Sequence, residues 1–69
     1  MEQHDIIIFN IDTNADGTYE VFTNNAKYKK CGSFHKVPDN QLYNTMEWIC
    51  RLVNKMSGDL ALFEPRWEA

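Results

Sequence analysis

The sequence predicts a small α+β domain, an antiparallel sheet packed on one main helix in the order β-β-β-α-β. Three observations predict it. Short β-branched and aromatic runs are separated by Asp-Gly and Asn-Asn turn signals. One long stretch after Pro38 repeats its apolar residues at helical spacing. A last short apolar run, Leu60 to Phe63, follows Gly58. The 69 residues make one domain, residues 1–69, and 43% hydrophobic with 25% charged residues is the composition of a folded chain. A core this small is marginal, so a partner or self-association would stabilise it.

The first strand is expected over Asp5–Ile11. Ile6, Ile7, Ile8, Phe9 and Ile11 put apolar groups on both faces, which suits a strand that is central or covered on both sides. Asp16-Gly17 then closes a hairpin, because glycine takes positive φ without a Cβ penalty. Thr18–Asn24 alternates Tyr19 and Val21 on one face with Glu20 and Phe22 on the other, and Asn24-Asn25 turns the chain again. Lys27–Phe34 reads as a third strand, lysine-protected at an edge, with Gly32 as a bulge that rephases Phe34 towards the core. Pro38 and Asp39 open the helix, Gly58 closes it after Ser57, and Pro65 stops the final strand.

On the helix, Leu42, Met46, Ile49, Val53 and Met56 form the stripe expected to face the sheet. Trp48 and Leu52 widen it on one side, Tyr43 and Cys50 on the other. At about 100° per residue the apolar arc spans roughly 220°, more than packing on one sheet requires. The surplus points to contact with another protein chain, a twin or a host protein, through Tyr43, Trp48 and Leu52 with Phe63 and Trp67 added from the C-terminal segment. Aromatic side chains of this kind anchor interfaces.

Several constellations bear on chemistry. Asp12, Asn14, Asp16 and Glu20, with Gly17 between them, occupy oxygen-ligand positions of a calcium loop. The twelfth position is Thr23, however, and the flanks read as strands, so a plain hairpin turn accounts for the same residues. Cys31, His35, Cys50 and His4 lack the tight spacing of a zinc site, and Cys50 reads as a small buried hydrophobe. A Cys31–Cys50 disulfide runs against the reduced setting expected below. Lys27, Tyr28, Lys29 and Lys30 mix cations with an aromatic ring as nucleic-acid-binding strands do, against a net charge of −3 that disfavours a phosphate-backbone partner. No glycine-rich phosphate loop, activated nucleophile or hydrolytic pair of acids stands out. Neither catalysis nor a cofactor is expected.

No stretch is apolar enough to span a membrane, and MEQHDIIIFN places acids before its apolar run without a secretory cleavage pattern. With two cysteines, reduced thiols in a cytoplasm are expected. Length, mild acidity and spare apolar helix surface are traits of many small phage-like proteins that bind and block a host protein, a likeness of type that no motif carries. The expectation is therefore a non-enzymatic protein-binding module, an inhibitor of a larger protein, a homodimer, or both.

Overall fold

A computed structural model describes residues 5–66, without the side chains of Met56, Ser57 and Arg66. His4 and Trp67 lie outside the described residues, as does the side chain of Met56. The elements are β1 (Ile6–Thr13), β2 (Tyr19–Thr23), β3 (Phe34–Val37), α1 (Asp39–Ser57) and β4 (Leu60–Arg66). They form a four-stranded sheet in the order β3-β2-β1-β4 with α1 packed against it, the α+β architecture and element order that the sequence predicts.

β1 is central, as its apolar run suggests. It pairs antiparallel with β2 (Ile11 opposite Val21) and parallel with β4 (Ile6 opposite Leu60). The sheet is therefore mixed, and not antiparallel throughout as expected, because the helix between β3 and β4 returns the chain to the same end of the sheet. β3 is antiparallel to β2 and so parallel to β4, and α1 supplies the long crossover that two parallel strands need. One face of the sheet builds the core. Ile7, Phe9, Ile11, Val21, Val37 and Ala61 are buried there under Ile49 and Val53, with Leu42 and Met46 half-buried beside them.

The helix has the bounds expected from Pro38 and Gly58. Pro38 stands at its N-cap in extended geometry, and Gly58 ends it at φ 71° with its N–H donated to Asn54 O. Gly17 at φ 86° closes the β1–β2 turn.

Two strand expectations are corrected. Lys27–Gly32 is a turn and not a strand: Gly32 N–H donates to Tyr28 O at 2.8 Å, and β3 begins only at Phe34. The turn forms because Tyr28 is completely buried at its centre. Gly32 lies so close beneath Phe9 that a Cβ there would overlap its ring and stand 3.1 Å from Thr23 Cγ2, so close approach, rather than a bulge, is what this glycine provides. A bulge does occur later, where β3 shifts register against β2 between Tyr19 and Val21 and Lys36 takes φ 51°. β4 also continues past the expected stop, through Pro65 to Arg66, because an edge strand tolerates proline.

Candidate functional site: an aromatic shoulder and an open sheet face

The helix wheel places the two ends of its apolar arc over different strands. Trp48 lies on the β3 side, its ring edge-on to Phe34 with centroids 5.8 Å apart. The two rings line a shallow recess with Gln41, Asn44 and Thr45. Leu52, one turn on, is half-buried on the same shoulder. Trp48 stays 51% exposed although Phe34 holds it. An aromatic pair of this geometry contributes about 0.5–1.5 kcal/mol beyond its buried area, enough to fix one ring while its other face meets solvent.

The β4 shoulder is separate. Cys50 lines a recess of about 430 Å³ with Arg51, Asn54, Gly58, Asp59, Leu60 and Ala61. Tyr43, two turns earlier on the same side, is 76% exposed. Cys50 is exposed, which corrects its reading as a buried hydrophobe, and both cysteines are free thiols. Phe63 points into the core side of the sheet, stacked on Phe9 at 5.5 Å. Of the five residues expected to share one contact patch, Trp48 and Leu52 stand together, Tyr43 occupies the opposite shoulder, Phe63 lies beneath the helix, and Trp67 is outside the described residues.

A second apolar surface escaped the sequence reading. On the sheet face away from α1, Ile6 (60% exposed), Ile8 (45%), Leu60 (56%) and Leu62 (44%) form two adjacent rungs, Ile6 with Leu60 and Ile8 with Leu62. Further along this face lie Asn10, Phe22, Asp12, Glu20 and Glu64, so the acidic residues gather away from the two aliphatic rungs. The signal is present in the two-sided apolar pattern of β1, which suits a strand that is central or covered on both sides; β1 is central, and its outer face stays open.

The acidic turn holds itself together. Asn14 Nδ2 donates to Thr18 Oγ1 at 2.9 Å and to Glu20 Oε1 at 3.0 Å, while the Thr18 N–H and hydroxyl both donate to Asp16 Oδ1. Glu20 Oε2 lies 2.6 Å from His35 Nδ1, and Lys36 N–H donates to Oε1. The bond from Asn14, followed by that to His35, holds the Glu20 carboxyl below the usual carboxylate range. The Thr18 hydroxyl and N–H do the same for Asp16. Asn14 thus offers Glu20 its amide nitrogen, a donor, where a cation would need an oxygen. Among the described residues no group of three or more His, Cys, Asp or Glu side chains is arranged to hold a metal ion.

In the lysine-rich turn, Tyr28 is buried rather than presented for stacking. Its hydroxyl donates to Asp59 Oδ2 at 2.9 Å, and Lys27 Nζ lies 3.7 Å from the same oxygen and 5.4 Å from the Tyr28 ring centroid. Asp5 N–H donates to Asp59 Oδ1 at 2.9 Å. The buried Asp59 carboxylate thus fastens the turn to the starts of β1 and β4. Lys29 and Lys30 are exposed.

Among the described residues no helix is long and apolar enough to cross a membrane. No protein-family model matches the chain, and no curated protein or solved structure does either.

Proposed function

We propose that this domain is a non-enzymatic protein-binding module that acts by occlusion, with Trp48 as its anchor. The observation that supports this reading is a large aromatic ring half in solvent, held in one orientation by Phe34, above a polar-rimmed recess. A ring fixed before binding loses little conformational freedom on contact, which is why such side chains dominate interface energies. Leu52 extends the anchor, and Gln41, Asn44 and Thr45 supply the polar rim. A cytoplasmic protein larger than this one is the partner that best suits so small a chain.

The other readings fit less well. A calcium site would have to break the hydrogen bonds that Asp16 and Glu20 already accept. A nucleic-acid strand would need the Tyr28 ring, which is buried.

Trp48→Ala tests the proposal. The variant is expected to stay folded with a loss of about 1–2 kcal/mol, since Trp48 is half exposed and the ring pair adds only about 0.5–1.5 kcal/mol to its burial. The protein retained from a cell extract by the immobilised wild type should bind the variant about tenfold more weakly or worse. Equal retention by the two would overturn the proposal. So would collapse of the variant's fold, which would make Trp48 a core residue.

A further inference from the structure

The two edges of the sheet are finished differently. β3 is four residues long, exposes His35 and Lys36, and is kinked where Lys36 takes positive φ. Short length, charge and bulges are the devices that keep a second strand away from an edge. β4 runs for seven residues and has none of them between Leu60 and Phe63.

The hydrogen-bonding side of each β4 residue follows from one bond. Leu60 N–H donates to Asp5 O, towards β1. Backbone groups alternate sides along a strand, so Leu60, Leu62 and Glu64 turn theirs towards β1, where Asp5, Ile7, Phe9 and Ile11 face them. Ala61, Phe63 and Pro65 turn theirs outward. The proline has no N–H to offer outward, so the edge is open from Ala61 to Phe63 only.

We infer that this edge joins β4 of a second copy of the chain, antiparallel, about a twofold axis between the two Leu62 residues. In this register Ala61 faces Phe63 of the other copy, and the two such pairs exchange both of their N–H···O bonds. On the helix side a small residue meets a large one. On the open side Leu62 meets Leu62, so the Ile8–Leu62 rung continues across the joint, while Leu60 meets Glu64 of the other copy. Above the edge, the shoulder with exposed Tyr43 and Cys50 faces its own copy. The outward backbone groups, the Leu62 pair and the small–large Ala61–Phe63 pairs are self-complementary, as a twofold interface requires, which favours a second copy over a foreign strand. Trp48 lies on the other shoulder, so this joint is independent of the proposed binding surface.

The test is sedimentation velocity from micromolar to millimolar protein. The wild type is expected to form a dimer. Ala61→Pro removes an outward N–H and leaves the β1–β4 ladder intact. Leu62→Lys places two like charges at the axis from a 44% exposed position that the fold does not need. Each should weaken dimerisation about tenfold or more, with circular dichroism confirming a folded chain. An equimolar mixture of L62K and L62E should recover the dimer mass, because opposite charges then meet at the axis. A wild type that stays monomeric at millimolar concentration overturns the inference, as does a dimer that survives both substitutions. A mixture that fails to recover while the single variants are monomeric overturns the Leu62–Leu62 register.

Discussion

Tyr28 carries the largest of the fully buried side chains, and its hydroxyl must find a partner once the ring is out of water. Asp59, 31 residues later, accepts that hydrogen bond. Tyr28→Phe keeps the ring but takes a donor from a buried carboxylate, so the expected cost is about 1–3 kcal/mol. For a domain of this size each kcal/mol lowers Tm by roughly 4–8 °C, which differential scanning calorimetry reads directly. Lys36 is the opposite case, a residue under local strain. Its φ of 51° costs a residue with a Cβ roughly 1–2 kcal/mol, whereas glycine there loses about 0.5–1 kcal/mol of entropy on folding. Lys36→Gly retains the N–H that bonds Glu20 and is expected to raise stability by up to about 1 kcal/mol in urea denaturation. A drop in stability would show that the lysine side chain has a role of its own.

At the level of elements, the β1–β2 turn and β3 are stapled through Glu20, which gathers Asn14, His35 and the Lys36 N–H. Because Glu20 and Asp16 titrate below their usual range when folded, they contribute stability that is present above the ordinary carboxylate range. It is lost as pH falls through their folded values. The urea midpoint should therefore hold steady on acidification until the pH nears the ordinary glutamate value of 4.5, and decline below it. Glu20→Gln should decline less over the same window. Asp16 is exposed and Glu20 only half-buried, so the effect is modest and shrinks with added salt.

The helix was legible to the residue because its signals are local: a proline and an acid at one end, a left-handed glycine at the other, and an uninterrupted stripe between. The turn at Lys27–Gly32 was not, because its cause is a carboxylate far along the chain. Alternating lysines around a tyrosine fit an edge strand as well as a turn wound about a buried ring. The direction of β4 was equally hidden, since a short apolar run looks the same parallel or antiparallel. The apolar surplus of the helix was half legible. The 220° arc marked a surplus, but its two ends were read as one patch when they overhang opposite edges of the sheet.

Among the described residues, the exposed aliphatic rungs Ile6–Leu60 and Ile8–Leu62 and the unpaired β4 edge leave one side unfinished, while the β3 side is closed off by charge and a bulge. This asymmetry is what a single helix on a four-stranded sheet produces. One layer covers one face, and the other face must be polar or be covered by something else. Here it is acidic at one end and apolar at the other.

The parallel joint between β1 and β4 also has a kinetic consequence. The hairpin of β1 and β2 closes over a few residues, but Asp5 and Asp59, bonded at the start of the parallel ladder, are 54 residues apart. The entropy of closing that loop must be met before any of its bonds form, and long-range parallel pairing is slow for this reason. The central strand therefore waits, with one side bare, for the segment that follows the helix. The step that seats Leu60 and Asp59 beside Asp5 is the one that sets the pace of folding.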